Sequence, residues 1–237
     1  MTDDRIPCGR GEIRVLYLDN HLLAVEKPPN VPVQRDISGD LDVFTACKGY
    51  IKEKFQKPGE VYMGLVHRLD RPVGGVLLLA RTSKAAKRLS ENFAGRDADK
   101  RYLAVLQGRM DAQLDMEDWL LKDSATGSSR AVPEGTPGAK YARLVSEPVA
   151  YCQAENATLA LVTLYTGRSH QIRVQHAARN LPLWGDMRYG GAEKGQQIAL
   201  WAYRLTVPHP TLREEISFTS RPPKDGIWSA FDLEGLQ

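Results

Sequence analysis

The run His67-Arg68-Leu69-Asp70-Arg71-Pro72 places one carboxylate among three basic side chains. Apolar segments flank it, Val61–Val66 before and Gly74–Ala80 after, and both have the pattern of short buried strands bounded by turn residues. Asp70 is therefore predicted to lie on a loop between strands, where a rigid scaffold presents functional groups. Neighbouring cations favour its ionised form. Two structural interpretations stay open, a cap on the turn before Pro72 and a solvated surface ion pair.

A second segment, Leu164–His176, changes the weight of those interpretations. It predicts an apolar strand that ends at the turn Thr166-Gly167, followed by a helix that begins near Ser169 and carries Arg173 in its first turns. If this helix packs beside the Asp70 loop, Arg173 would form a charge-assisted pair with the carboxylate and lower its pKa. The residues alone do not show that the two side chains meet.

Three motifs in this order resemble the RluA-like pseudouridine synthase family: His67–Arg71, Lys100–Val105 and Gly167–Arg173. The likeness spans about residues 13 to 231 and includes flanking segments, namely Ile13–Asp19, Glu26–Pro29, Gly185–Gly190, His209-Pro210 and Phe218. Two positions depart from the family pattern. Gly74 stands where the family usually has Ser, and Gln175 precedes His176 where a His often follows Arg-Val directly. Neither position touches the nucleophile, so they concern loop detail and not the reaction.

The resemblance implies both a fold and a reaction. The fold is an α+β pseudouridine synthase fold, a mixed and largely antiparallel bent sheet with flanking helices and a central active cleft. The reaction converts a chosen uridine of rRNA or tRNA to pseudouridine. The uracil is detached at N1 and reattached to the sugar through C5, and no cofactor is needed.

By the same resemblance, three residues form the catalytic set. Asp70 is the nucleophile, which adds either to the sugar C1′ or to the uracil ring, and both routes need an ionised carboxylate. Arg173 is its ion-pair partner, because a guanidinium is permanently charged and its planar fork matches a carboxylate. Tyr102 lies against the uracil, and its hydroxyl could assist removal of the C5 proton; replacement by Phe would separate stacking from proton transfer.

The resemblance also implies RNA contacts. A stacked uridine has to be extruded at a cost of a few kcal/mol, and Arg68 is expected to occupy the vacated place. A phosphate contact or a surface ion pair is the alternative for Arg68. His67 is expected to hydrogen-bond the loop backbone, and Arg168 and His170 are expected to fix the second loop or touch phosphate. The full set of predicted RNA-binding residues is His67, Arg68, Arg71, Lys100, Arg168 and His170.

Composition limits the organisation of the chain. Its 237 residues and 42% hydrophobic content allow one large or two small domains. We predict an N-terminal extension over residues 1–12 and one catalytic domain over residues 13–237, with no room for an S4-type RNA-binding domain. The net charge of +3 does not by itself predict an RNA-binding protein, but basic residues cluster near the motifs. Lys84, Lys87 and Arg88 are expected to be only the solvated face of a helix.

Other features exclude several classes of protein. Cys8, Cys47 and Cys152 are widely spaced, which predicts a reducing compartment, no zinc site and no other metal. No apolar run resembles a signal peptide or approaches the ~20 residues of a membrane span, so a soluble cytoplasmic protein is expected. No obligate protein partner is evident.

The remaining elements follow from local patterns. We predict a hairpin of Ile13–Leu18 and Leu22–Glu26, a helix over 41–55, a second helix capped by Thr82, and a mobile surface loop over 123–138. Further strands are expected at Arg101–Gln107, Tyr141–Ser146, Thr158–Tyr165, Gln197–Val207 and Glu215–Thr219. The irregular order of strands and helices and the lack of a Gly-rich phosphate loop after a strand argue against a Rossmann or P-loop fold.

Two other functions compete with the synthase hypothesis. One is a non-catalytic RNA-binding or RNA-remodelling protein in which Asp70 is only structural. The other is a hydrolytic glycosylase, which would need a second acid to position water, and none accompanies Asp70 in its motif. The motifs do not identify the RNA, the uridine, the order of the chemical steps or the oligomeric state.

Overall fold

The computed structural model describes residues 4–9, 11–95, 97–212 and 214–236. Its contacts divide the chain into two compact units: the first extends to Asp99 and resumes over Ala202–Ser220, and the second comprises Lys100–Trp201 and the chain from Arg221. Mostly antiparallel strands and three α-helices in the described ranges confirm the predicted α+β class. The single catalytic domain and its central cleft stay predictions.

In the described residues, sixteen elements make up these units. The helices are α1 (Val43–Lys54), α2 (Ser83–Gly95) and α3 (Gln171–Ala177), with a 3-10 helix at Gly226–Ala230. The strands in chain order are β1 (Arg5–Cys8), β2 (Gly11–Leu18), β3 (Leu22–Lys27), β4 (Gly64–Leu65), β5 (Gly74–Ala80), β6 (Asp99–Gln107), β7 (Leu114–Lys122), β8 (Ser129–Val132), β9 (Lys140–Cys152), β10 (Ala157–Leu164), β11 (Leu200–Pro208) and β12 (Glu215–Thr219).

In the first unit the strand order is β1-β2-β3-β5-β11, with β12 beside β11 and β4 beside β5. The predicted β2–β3 hairpin forms because the Asp19 carboxylate accepts the backbone N–H groups of His21 and Leu22 at 2.8 and 2.6 Å and so closes the turn. Every residue of β5 is buried. Gly75 has a φ of +113°, and a Cβ atom there would lie 2.3 Å from the carbonyl oxygen of Ala202, so this position requires glycine.

Both helices of the first unit follow their sequence signals. In α1 the Asp42 carboxylate accepts the Thr45 N–H at 2.8 Å as an N-cap. In α2 the Thr82 hydroxyl accepts the Ala85 N–H at 3.2 Å, and Leu89 packs into a core with Leu78 and Phe218. By contrast, the strand expected over Val61–Val66 is reduced to the two residues of β4.

The second unit has the antiparallel strand order β6-β10-β9-β7-β8. The expectation of a mobile loop over 123–138 was wrong for Ser129–Val132, which forms β8 and pairs with β7. The Asp123 carboxylate accepts the N–H groups of Ala125 and Thr126, so the turn-forming composition marks a closed hairpin turn.

The predicted extension over residues 1–12 contains β1, which pairs with β2, while residues 1–3 and 10 lie outside the described residues.

No helix in the described ranges is long and apolar enough to span a bilayer.

Candidate active site

Asp70 lies on the connection between β4 and β5, as predicted, and it is half-buried. Its neighbours point different ways: Leu69 is buried, with 7% of its surface exposed, whereas Arg68 is exposed. The Asp70 carbonyl accepts the N–H of Val73 at 3.0 Å, which closes a turn immediately after the carboxylate. Apolar anchoring on one side and a hydrogen-bonded turn on the other restrict the conformation of the loop.

Lys27, the last residue of β3, lies fully buried beneath this loop. Its ammonium donates to the carbonyls of Pro28, Val31 and Arg71 at 2.9, 2.7 and 2.9 Å. Burial lowers the pKa of Lys27 to about 7, and the negative charge of Asp70 opposes this shift. The residue next to the candidate nucleophile is therefore tied to a buried cation. This role of Lys27 was not predicted from the sequence, although a lysine that ends an apolar strand before two prolines is an available signal.

The guanidinium of Arg71 binds the loop over residues 30–40. It donates to the Asn30 carbonyl at 3.1 Å and forms ion pairs with Asp36 at 3.0 Å and with Asp40. A phosphate at Arg71 would compete with two carboxylates, so these contacts support a role in ordering the loop. The predicted contact with RNA stays a prediction.

His67 packs within the first unit. Its Nε2 accepts the backbone N–H of Leu78 in β5 at 2.9 Å, and its ring stacks on Phe93 of α2 with centroids 4.8 Å apart. His67 was expected to hydrogen-bond the backbone of its own loop, but its Nε2 accepts from the backbone of β5 instead. His67 therefore fixes the start of the Asp70 loop, and contact with RNA stays a prediction.

In the second unit, Lys100 and Tyr102 lie on β6 and are half-buried. Tyr102 stands opposite Val162 of β10 in the antiparallel register. Because side chains alternate along a strand, Lys100 and Tyr102 share one face of the sheet. The motif thus presents a cation and an aromatic ring side by side.

Arg173 is the third residue of α3, and only 7% of its surface is exposed. Its Nε and Nη2 bind the two carboxylate oxygens of Asp186, each at 2.8 Å. Burial alone would raise the pKa of Asp186, but Arg173 and the N–H groups of Arg188 and Tyr189 lower it below its usual range. Asp186 lies in a flanking segment of the resemblance, Gly185–Gly190, and no role was predicted for it from the sequence.

Tyr189 also contacts the arginine. Its ring centroid is 5.2 Å from the Arg173 guanidinium carbon, which is a cation–π distance. Its hydroxyl lies 2.9 Å from Nδ1 of His170 and accepts the N–H of Ser129 at 2.8 Å. Arg173 is thus held by a carboxylate and an aromatic ring within the second unit.

Side chains and backbone around the start of α3 fix the third motif, Gly167–Arg173. The amide oxygen of Gln171 accepts from the Arg168 N–H at 3.0 Å and from the Thr166 hydroxyl at 2.8 Å. The Arg168 guanidinium donates to the Tyr141 carbonyl at 2.8 Å, and His170 takes a left-handed conformation with φ of 55°. These contacts agree with the first of the two expected roles, fixing the loop. Contact with phosphate stays a prediction.

The site residues therefore form two sets. Asp70 is grouped with Lys27 in the first unit, and Arg173 is grouped with Asp186 and Tyr189 in the second. The expected pair of Asp70 and Arg173 joins residues of different units and stays a prediction. A guanidinium has five N–H donors, more than one carboxylate accepts, so the pair with Asp186 is compatible with a second anion. Among the described residues, no three His, Cys, Asp or Glu side chains form a group that could hold a metal ion.

Comparison with known proteins gives a consistent result. Residues 21–178 match the family described as RNA pseudouridylate synthase. The tRNA pseudouridine synthase C of Yersinia pestis is 30% identical over 246 aligned residues, which cover 94% of this chain and 93% of that relative. The ribosomal large subunit pseudouridine synthase D of Yersinia pestis is 33% identical over 230 residues, which cover 90% of this chain and 68% of that relative. The solved structure of human RNA pseudouridylate synthase domain containing 4 matches with a TM-score of 0.73 and 21% sequence identity. The match covers 91% of this chain and 90% of that chain, which shows that the two share a fold.

Proposed function

The chain belongs to the RNA pseudouridylate synthase family, and from this premise we propose that it isomerises one particular uridine of a structured rRNA or tRNA, with Asp70 as the nucleophile. The enzyme class, an RNA pseudouridine synthase, follows from the family itself. Relatives named for tRNA and for the large ribosomal subunit both match the chain, which supports RNA as the substrate class and leaves the RNA open.

The observation that carries the assignment of Asp70 is the way in which its loop is fixed. The carbonyl of the next residue, Arg71, accepts from the buried ammonium of Lys27, and the carbonyl of Asp70 accepts from Val73. A nucleophile has to be held within a narrow range of positions to attack efficiently. In its protonated form, Lys27 also places a positive charge near Asp70, which suits a carboxylate that acts in its ionised form.

The chemistry needs no group beyond the chain and the RNA. Asp70 adds to C1′ or to the uracil ring, and the bond between N1 and C1′ breaks. The uracil turns, and a new bond forms between C5 and C1′. The proton lost from C5 is balanced by the proton gained at N1, and Asp70 leaves unchanged.

The other two catalytic roles belong to the same proposal. Tyr102 lies against the uracil, and its hydroxyl takes part in removal of the C5 proton. Arg173 pairs with the Asp70 carboxylate while Asp186 and Tyr189 hold the guanidinium in place. Arg68, which is exposed on the loop, fills the place left by the extruded uridine.

The test is pseudouridine mapping of total RNA from cells with and without the gene. Deletion is complemented by wild type, by Asp70→Asn, or by Asp111→Asn, a matched control in an exposed ion pair with Arg109. We expect one or more sites to vanish on deletion, to return with wild type and Asp111→Asn, and to stay absent with Asp70→Asn. The Asp70→Asn protein should still bind the RNA within a few fold of wild type.

Other outcomes separate the competing functions. An unchanged pseudouridine map, together with RNA binding by the purified protein, would favour a non-catalytic RNA-binding protein. Release of free uracil from the RNA would indicate a glycosylase. Full complementation by Asp70→Asn would remove Asp70 from the reaction.

A further inference from the structure

Tyr189 makes polar contacts with two elements that are far apart in the sequence. Its hydroxyl accepts the N–H of Ser129, the first residue of β8, at 2.8 Å, and lies 2.9 Å from Nδ1 of His170, the residue before α3. Which of the Tyr189 hydroxyl and Nδ1 of His170 donates this hydrogen bond depends on the tautomer of the imidazole. One side chain therefore joins the β7–β8 hairpin to the beginning of α3.

The same residue contacts both members of the buried ion pair. The Tyr189 ring faces the Arg173 guanidinium at 5.2 Å, and the Tyr189 backbone N–H lies 3.2 Å from the Asp186 oxygen that also accepts from Nη2 of Arg173. The aromatic face and the fixed carboxylate both restrict the position of the guanidinium. Movement of Tyr189 would therefore move the arginine.

The hairpin is held against the same segment by a second contact. The guanidinium of Arg188 donates to the Thr126 carbonyl at 3.1 Å and to the Ser128 hydroxyl at 3.0 Å. Ser129 is buried, with 5% of its surface exposed, so its N–H depends on the Tyr189 hydroxyl as its acceptor. The position of β8 and the position of Tyr189 are consequently linked.

We propose that Tyr189 is a positioning residue that couples the β7–β8 hairpin and the start of α3 to the Arg173 guanidinium. The proposal rests on the proposed function, in which Arg173 acts on the nucleophile. In this proposal Tyr189 acts through Arg173 and not on the reacting atoms. Its contribution is to place Arg173 for the chemical step. Loss of the Tyr189 contacts should therefore lower the reaction rate at saturating RNA and leave the affinity for RNA unchanged.

The experiment uses the full chain with Tyr189→Phe, which keeps the ring over Arg173 and removes both hydroxyl contacts. The matched control is Tyr151→Phe, because the Tyr151 hydroxyl also has one side-chain partner in the second unit, Asn156 at 2.9 Å. With a uridine-containing target RNA, we expect the single-turnover rate constant of Tyr189→Phe to fall about tenfold. Its dissociation constant for RNA and all constants of Tyr151→Phe should stay within about twofold of wild type.

A second readout does not depend on activity. Backbone amide exchange, followed by mass spectrometry, should become about tenfold faster in Tyr189→Phe for peptides that contain β8 and for peptides that contain α3. Tyr151→Phe should change neither. Exchange that increases only in β8, or a rate constant that stays at the wild-type value, would overturn the coupling.

The two proposals fail in different ways. If wild type forms no pseudouridine in any RNA, the proposed function is wrong, and amide exchange in α3 alone decides whether Tyr189 links the elements. If wild type is active and Tyr189→Phe weakens RNA binding without slowing the saturated rate, the positioning role is wrong. Should Tyr189→Phe unfold below the assay temperature, Ser128→Ala, which removes one Arg188 contact at the hairpin turn, takes its place with the same expected direction in exchange and rate.

Discussion

Arg173 and Asp186 illustrate how burial decides the importance of a charged residue. Their side chains are only 8% and 0% exposed, and the guanidinium and the carboxylate meet through two hydrogen bonds of 2.8 Å. Arg143 and Asp115 also form a two-point pair, at 3.1 and 2.8 Å, but there the side chains are 38% and 46% exposed. Two pairs with one chemistry and opposite surroundings therefore exist in the same unit.

Replacement of arginine by lysine should separate these two pairs. Lysine keeps the charge but cannot bind both carboxylate oxygens through a planar fork. For Arg173→Lys we expect a loss of about 2 kcal/mol in the free energy of unfolding, because a buried carboxylate loses part of its partner. For Arg143→Lys we expect less than about 1 kcal/mol, because water replaces the lost contact. Urea unfolding measures both, and equal losses would contradict the argument.

At the scale of elements, Lys27 connects the end of β3 to two loops. The three carbonyls that it binds lie in the segment after β3 and in the Asp70 loop. An ammonium can donate to all three, whereas a neutral amine has only two N–H groups. The protonation of one buried side chain therefore bears on how firmly β3 and the Asp70 loop are joined.

The net effect of burial on Lys27 predicts a pH dependence of stability, because the cost of desolvating the ammonium exceeds the contribution of its three hydrogen bonds. Burial lowers the pKa of Lys27 from 10.5 to about 7. The unfolded chain then binds one proton more than the folded protein between these values, so the stability contributed by this group is complete above pH 10.5 and is lost as the pH falls towards 7. Relative to Lys27→Met, wild type should gain about 1.4 kcal/mol per pH unit in the free energy of unfolding between pH 7 and pH 10.

Urea unfolding at several pH values checks this prediction, with Lys52→Met on an exposed face of α1 as the matched control. Below pH 6.5 the difference between wild type and Lys27→Met should not vary with pH. A difference that is constant from pH 6 to pH 10 would mean that Lys27 keeps its proton throughout.

The elements that the sequence predicted well are those with local causes. Asp19 closes the β2–β3 turn, Asp42 and Thr82 cap the helices, and an uninterrupted apolar run marks β5. In contrast, β8 has four residues and only one that is buried, so it has no apolar pattern to detect. Its pairing depends on β7 and on the turn between them.

The site shows the same division. The composition around Asp70 is local, and it correctly indicated a loop between strands. The partners of Lys27 are backbone carbonyls, and because every residue has one, the types of the neighbouring residues do not predict these contacts. The partner of Arg173 lies 13 residues further on, and its identity depends on how two segments pack. Charge pairs across such distances in the chain follow from the tertiary structure and not from motif spacing.

At the scale of the whole molecule, the net charge of +3 is too small to attract RNA by itself. The proposed RNA contacts must come from local cations, and they occur in both units: Arg68 and Arg71 in the first, Lys100 and Arg168 in the second. Each phosphate neutralised by a cation releases counterions and steepens the dependence of affinity on salt. The slope of that dependence thus counts contacts that the net charge does not reveal.

Two double variants with the same change in net charge test where those contacts lie. Lys100→Gln with Arg168→Gln removes two predicted contacts, and Lys84→Gln with Lys87→Gln removes two exposed cations from α2. The slope of log affinity against log salt should become shallower by about 1.4 to 1.8 for the first pair and stay unchanged for the second, as measured by filter binding to the target RNA. Equal shifts would mean that net charge attracts the RNA. A shift only in the Lys84 and Lys87 pair would move the RNA path to α2.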